Sequence, residues 1–245
     1  NKENILQVRM FGTFSMSYNG MPLAMKRLRR NNQFTNLMQA VLYHSEKGVG
    51  RDWLEDVVFE DRDVENRHNS LRVLIYKAIR KLRELGLPEE KYIYLEDGIY
   101  RWTPQIKVEV DAIEFSRIYQ KAEETEDPGE RLEMYLHACY MYQGEFLADC
   151  AGVAWIGYES KRYRKVFQDI VNQAAILLRE REEWKRLEKL GKFAALAAPF
   201  SDWEELIMEA YMETGRFDDA RILYEETADY YQREQGIYPS ARMLQ

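Results

Sequence analysis

The residues best suited to do chemistry are six cations in one stretch, between positions 66 and 83, that contains no carboxylate. These cations are Arg67, Arg72, Lys77, Arg80, Lys81 and Arg83. Because the 245-residue protein carries a formal net charge of −7, the stretch does not follow from a basic composition. Clustered Lys and Arg side chains attract phosphate groups, so the stretch indicates a polyanionic ligand.

An apolar stripe on the same stretch predicts a helix. Leu71, Ile75, Ala78 and Leu82 recur at spacings of four, three and four residues, as one helix face does. At about 100° of rotation per residue, the opposite face carries Asn69, Val73, Tyr76, Lys77 and Arg80, flanked by Arg72 and Arg83. Asn and Arg side chains pair with base edges, Val contacts a thymine methyl group, and Lys and Arg bind phosphate. We therefore predict that this helix, including Lys81, contacts the major groove of DNA. The alternative is a solvated helix face, but such faces usually mix both signs of charge.

A short hairpin is predicted directly after this helix, from Tyr92 to Trp102, with its turn at Asp97-Gly98. As the wing of a DNA-binding domain, the hairpin brings Arg101 near phosphates or into the minor groove. The alternative is an ordinary hairpin that covers the core with Tyr100 and Trp102. The hairpin can fill both roles if alternate residues face opposite sides, with Arg101 toward DNA and Tyr100 and Trp102 toward the core.

Further cations precede two other predicted helices. Lys26, Arg27, Arg29 and Arg30 lie just before the first helix, and Arg51 lies at the start of the second. Helix N-termini attract phosphate, and flanking arginines strengthen that attraction. We therefore add Arg29, Arg30 and Arg51 to the predicted DNA-binding residues, while solvated loop positions remain the alternative.

The elements that must position these residues form two predicted domains, 1–104 and 105–245. The first opens with alternating strands and an Asn19-Gly20 turn, then continues as three helices and the hairpin. Asp63 is the expected cap of the basic helix. Helices alone are expected beyond Asp111. There, Trp184 precedes Phe217 by 33 residues, close to the tetratricopeptide period of about 34.

Charge separates the two predicted domains. Residues 1–104 hold 17 Lys+Arg against 14 Asp+Glu, a net charge of +3, and residues 105–245 hold 18 against 28, a net charge of −10. A basic first part and an acidic second part suggest that one meets a polyanion and the other meets protein or solvent.

Several function classes are not favoured by the sequence. His44, His68 and His137 have no metal-ligand spacing, and we find neither a glycine-rich phosphate loop nor a nucleophile elbow. Cys139 and Cys150 are expected to be reduced and packed in helices. No apolar run approaches the ~18 residues of a membrane span. We therefore predict a cytoplasmic protein that is not an enzyme and has no metal, cofactor or membrane partner.

Several segments, taken in order, resemble those of known bacterial proteins. The opening VRMFGTFSMSYNGMPL is similar to the first hairpin of an OmpR-type winged helix, NSLRVLIYKAIRKLRELG to its recognition helix, and GIYRW to its wing. Four later segments are similar to parts of the bacterial transcriptional activator domain: VDAIEF, RLEMYLHACYMYQGEFL, MEAYMETGRFDDARILYEE and GIYPSARM. Together, and in this order, the segments resemble the SARP-type bacterial activators. Trp102, Leu74 and Tyr76 depart from residues that the family usually carries, which leaves open which bases are read.

The resemblance implies a mainly α protein with a small β part. In it, an N-terminal OmpR-type winged helix-turn-helix precedes an all-α, TPR-like domain. It further implies a sequence-specific transcription regulator, an activator that binds promoter direct repeats, assembles as a homodimer or head to tail on double-stranded DNA, and contacts RNA polymerase. Two alternatives stay open: an interaction scaffold whose helical repeats hold a partner peptide, and a regulator whose helical domain senses a small ligand.

Overall fold

The computed structural model describes residues 3–25, 32–60, 62–240 and 243 of the chain. The chain divides into two structural units, Asn1–Ile113 and Glu114–Gln245. The boundary predicted from the sequence, after residue 104, precedes the last strand of the first unit.

A four-stranded sheet opens the first unit. Its strands are β1 (Ile5–Arg9), β2 (Ser15–Tyr18), β3 (Met21–Pro22) and β7 (Lys107–Val110), in the order β3-β2-β1-β7. The predicted Asn19-Gly20 turn is confirmed, because both residues have positive φ, at 47° and 81°. β1 pairs with β2 in antiparallel register, which buries Leu6, Val8 and Met16. β7 lies parallel to β1 on its other side, a pairing that the sequence did not predict.

Asp111 fixes the point where this sheet ends and the fourth helix begins. Its Oδ1 accepts hydrogen bonds from the backbone N–H groups of Met10, at 2.8 Å, and Ala112, at 2.7 Å. Its Oδ2 accepts from the N–H of Phe11 at 3.1 Å. Burial raises the pKa of the Asp111 carboxyl, although these three N–H groups and Arg9 act in the opposite direction.

Three helices and a second sheet complete the first unit. The helices are α1 (Gln33–Tyr43), α2 (Arg51–Phe59) and α3 (Arg67–Glu84), and the sheet contains β4 (Val49–Gly50), β5 (Ile93–Glu96) and β6 (Ile99–Trp102), in the order β4-β6-β5. Each helix buries an apolar face, represented by Leu37, Leu54 and Leu71. Gly48 admits no side chain, because it has a φ of 77° and an added Cβ would lie 2.9 Å from the Tyr100 carbonyl oxygen.

The cap of α3 differs from the prediction. Asn66, and not Asp63, is its N-cap, and its side-chain oxygen accepts a hydrogen bond from the N–H of Asn69 at 3.2 Å. Asn66 has a φ of 50°, a left-handed conformation that asparagine tolerates better than most residues. The predicted cap was wrong because α3 begins at Arg67, so the capping position falls on Asn66 and Asp63 lies three residues before it.

The second unit consists of helices joined by loops, with no strand among its described residues, as predicted. Its helices are α4 (Asp111–Glu124), which begins in the first unit, α5 (Pro128–Met141), α6 (Ala154–Glu180), α7 (Trp184–Ala197), α8 (Glu204–Glu213) and α9 (Phe217–Gln235), with a short 3-10 helix at Ala148–Cys150. Gly191 lets α7 approach α8 closely, because an added Cβ would lie 2.7 Å from Cγ1 of Ile207. Among the helices described, we find none with the length and apolar character needed to cross a bilayer.

Large aromatic side chains fill the spaces between helices of the second unit. The rings of Tyr142 and Phe167 stack with centroids 4.2 Å apart, and Phe146 packs on Tyr163 at 5.1 Å. All four are buried. The predicted fold class, mainly α with a small β part, is confirmed.

Candidate nucleic-acid interface

Helix α3 is amphipathic in the sense that the sequence predicted. Leu71, Ile75, Ala78 and Leu82 are all buried, which confirms the apolar stripe. The helix runs for 18 residues, or about 27 Å at 1.5 Å per residue. One long face of the helix is therefore held by the core, and the other remains available to a ligand.

Most of the predicted contact residues of α3 lie on that available face. Exposed side chains belong to Asn69, Arg72, Val73, Tyr76, Lys77, Arg80 and Arg83, and Lys81 is half-buried. Two of these exposed side chains are apolar or aromatic: Val73 is 45% exposed and Tyr76 is 69% exposed. The apolar surface of these two side chains gains little from contact with water, so their position among the cations favours a ligand that offers both charge and apolar surface.

The cations of α3 differ in how strongly the protein itself engages them. Arg67 is the most engaged, because its Nη1 lies 2.9 Å from Oδ1 of Asp56 and its Nη2 donates to the Glu60 carbonyl at 3.2 Å. Arg80 Nε lies 3.4 Å from Oε1 of Glu84, and both side chains are exposed. Neither Arg72 nor Lys77 forms an ion pair within the described part of the chain. These two cations are therefore available to an external anion.

A basic recess of about 360 Å³ lies between the start of α1 and the side of α3. Its lining consists of Asn32, Gln33, Phe34, Arg62, Leu74, Lys77, Ala78 and Lys81. Lys81 Nζ sits 4.2 Å above the centre of the Phe34 ring, which holds the ammonium group at the edge of the recess. The oxygen of Asn32 caps α1 by accepting from the N–H of Phe34 at 2.8 Å.

The hairpin of β5 and β6 contributes less positive charge than its expected role as a wing implied. Tyr100 and Trp102 are buried, as predicted. Arg101 is half-buried, and its Nη1 donates to the carbonyl of Lys47 at 3.2 Å. The exposed tip carries Glu96, whose charge repels phosphate.

The remaining predicted cations lie on another helix or outside the described residues. Arg51 begins α2, and its Nε lies 3.9 Å from Oδ1 of Asp52, so part of its charge is balanced locally. Arg29 and Arg30, together with Lys26 and Arg27, lie outside the described residues.

A polar cluster that the sequence did not predict joins α2 to the first turn of α3. Asp52, Glu55 and His68 each place one potential metal-ligand atom within 4.8 Å of the others. Glu55 is buried and contacts Nδ1 of His68 directly. A divalent cation would find three ligands here, although the guanidinium of Arg51 beside Asp52 opposes it. The signal available in the sequence was the three-residue spacing of Asp52 and Glu55, which places both on one side of α2.

Among the comparisons with known proteins, a family model matches residues 110–245 and a solved structure matches nearly the whole chain. The family model described as "Bacterial transcriptional activator domain" matches residues 110–245. Among solved structures, the chain resembles "Mycobacterium tuberculosis EmbR in complex with low affinity phosphopeptide", with a TM-score of 0.64 and 14% sequence identity. That alignment covers 99% of this chain and 64% of the EmbR chain, so the likeness concerns the fold of part of that protein. No curated protein matches the chain.

Proposed function

The chain belongs to the bacterial transcriptional activator domain family, whose model matches more than half of it, and on that premise we propose that its first unit binds promoter DNA. The family makes it a transcription regulator of the SARP type and not an enzyme. Sequence-specific binding, the assembly on DNA and the contact with RNA polymerase belong to the proposal.

The proposal depends on one observation, the composition of the exposed face of α3. That face combines Arg72 and Lys77, which form no ion pair among the described residues, with the exposed Asn69 and Val73. The major groove of B-DNA is about 12 Å wide and admits an α-helix. It presents base edges to an amide and a thymine methyl to an apolar side chain, while phosphates line its margins.

Each side chain has a role that follows from its chemistry. Asn69 lies in the first turn of α3, from which recognition helices contact base edges. Val73 follows one turn later on the same side, in position to touch a thymine methyl group. Arg72, Lys77 and Arg80 bind phosphates on either side of the groove, and these contacts fix the register of the protein without reading sequence.

A single helix covers few base pairs, so we infer that two copies bind together. A second copy on a direct repeat about one helical turn away adds affinity through proximity. The net negative charge of the second part disfavours contact with DNA, so we assign to it the support of this assembly and the contact with RNA polymerase. A regulator that acts on a bacterial promoter works in the cytoplasm, where we place it.

A fluorescence anisotropy titration with random-sequence duplex DNA tests whether the chain binds DNA at all. The full chain is expected to bind at low salt and to lose affinity steeply as salt rises, because phosphate contacts release counterions. A protein-interaction scaffold would show no binding to duplex DNA at any salt concentration. Selection of preferred sequences from a random pool then tests sequence specificity, and a repeated half-site in one orientation is the expected result.

A further inference from the structure

A groove on the second unit lies between α8 and α9, in a part of the chain that DNA binding does not use. Its volume is about 600 Å³. It is lined by Glu205, Met208, Glu209, Met212, Glu213, Phe217, Ala220, Arg221, Tyr224 and Met243. The lining thus joins an apolar floor to a row of carboxylates.

The apolar part of the groove is only partly covered by the protein. Met208 and Met243 are buried, but Met212 is 48% exposed and Phe217 is 60% exposed. Methionine side chains are unbranched and polarizable, and they adapt to different apolar partners. Clustered exposed apolar residues with a polar rim are typical of protein interaction sites.

The rim of the groove is acidic. Glu205, Glu209 and Glu213 recur every four residues, so they form one row along α8. Glu209 is engaged by Arg179, whose Nε lies 2.7 Å from its Oε1. Within the described residues, neither Glu205 nor Glu213 forms an ion pair, so both carboxylates remain available to a partner.

The net charge of the surrounding segment also favours a cationic partner. Residues 202–236 hold three arginines and no lysine against eleven Asp and Glu, a net charge of −8. Two of these arginines, Arg216 and Arg221, are already engaged by Asp219 at 2.8 Å and by Glu225 at 3.1 Å. An acidic partner would be repelled, whereas a cationic one would be attracted.

We propose that this groove is the docking site for a cationic amphipathic helix of a partner protein. Helices that enter apolar grooves present anchors at positions i, i+3, i+4 and i+7, and such anchors would cover Met212 and Phe217. Lysine or arginine on the flanks of that helix pairs with Glu205 and Glu213. A helix also continues the architecture, because α7, α8 and α9 already pack in succession and repeat folds bury their faces by stacking helices. This inference goes beyond DNA binding and stands whether or not α3 contacts DNA.

The test measures binding of a defined peptide to the full chain. The probe is a fluorescently labelled helical peptide with leucine on one face and lysine on the other. Its matched control carries glutamate in place of every lysine. The lysine peptide is expected to bind at least ~10-fold more tightly, a difference of ~1.4 kcal/mol, and added salt is expected to reduce that difference.

Variants of the chain locate the binding. Phe217→Ala removes an apolar contact, and Glu213→Lys reverses one charge of the rim. Each substitution is expected to weaken binding of the lysine peptide ~5-fold or more, which is within the range measured for single interface residues. Leu196→Ala is the control, because Leu196 is 84% exposed on α7 and does not line the groove. Circular dichroism and thermal unfolding check that each variant is folded. The two groove variants test separate contributions, the apolar contact and the charged rim.

Three results would overturn the inference. The first is equal binding of the lysine and glutamate peptides. The second is unchanged binding in both Phe217→Ala and Glu213→Lys. The third is self-association of the chain, seen as a concentration-dependent mass in sedimentation, that Phe217→Ala abolishes, because the occupant would then be a second copy.

Discussion

Removing the two unengaged cations of α3 gives the sharpest test of the proposed DNA interface. Arg72 and Lys77 are exposed and project from the helix without a carboxylate partner among the described residues. The double substitution Arg72→Ala, Lys77→Ala leaves the buried stripe of α3 intact. Its effect on DNA binding is therefore separate from any effect on folding.

The expected magnitude follows from counterion release. Each phosphate contact contributes about −0.9 to the slope of log affinity against log salt. At ~0.1 M salt, one contact is therefore worth ~0.9 of a decade in affinity, or ~1.2 kcal/mol. The double variant should lose ~60-fold in affinity at ~0.1 M salt and should show a slope ~1.8 units shallower. The unaltered protein, with five or six phosphate contacts, is expected to show a slope between about −4 and −6 per protomer.

The assay is fluorescence anisotropy of the full chain on one duplex, repeated across a range of salt concentrations. Lys161→Ala is the matched control, since Lys161 is an exposed lysine on α6 of the second unit. Glu84→Gln should act in the opposite direction and strengthen binding, because Glu84 competes with phosphate for Arg80 at 3.4 Å. A salt slope that is the same in the double variant and in the unaltered protein would refute the assignment of α3 to the DNA groove.

Three further predictions test base reading, helix capping and tyrosine ionisation. Val73→Ala should reduce discrimination between preferred and random duplexes while leaving the salt slope unchanged, because Val73 carries no charge; competition binding measures this. Asn66→Ala should lower the free energy of unfolding by ~1 kcal/mol through loss of the α3 cap, whereas Asp63→Ala should have little effect in the same urea titration. Burial and the contact with Asp169 raise the pKa of Tyr119 above its usual value of 10, so its neutral form contributes stability below pH 10 that is lost as pH rises through the raised pKa. Tyr119→Phe should accordingly flatten the decline of unfolding free energy at alkaline pH, and a decline identical to that of the unaltered protein would contradict this role.

The local pattern of α3 was predictable because it rests on neighbouring residues. The spacing from Leu71 to Leu82 determines which side is buried, and the structure confirms it. The Asn19-Gly20 turn is predictable for the same reason, since two residues determine its backbone. Features of this kind can be predicted from the sequence because the residues that determine them lie within a few positions of each other.

Most of the features that escaped prediction join residues on different elements of the chain. β7 pairs with β1, and Asp111 binds the N–H of Met10, 101 positions away. Glu55 meets His68 across two helices. These contacts produce no periodic pattern in the sequence, because each depends on how whole helices and strands pack together. The acidic row of α8 was visible as charge, but the apolar groove beside it exists only once α9 is in place.

The packing of like charges along α3 has an energetic consequence for the unbound protein. Lys77 lies three residues from Arg80 and four from Lys81, and Arg80 lies three from Arg83, so several cations are neighbours on the helix surface. Each such pair destabilises the helix by ~0.2–0.5 kcal/mol. Together the three pairs lower the stability of the folded state by about 1 kcal/mol. Salt screens this self-repulsion in the unbound protein, and it would also weaken the proposed binding to DNA. Added salt should therefore raise the stability of the unbound protein while it lowers the stability of the proposed complex.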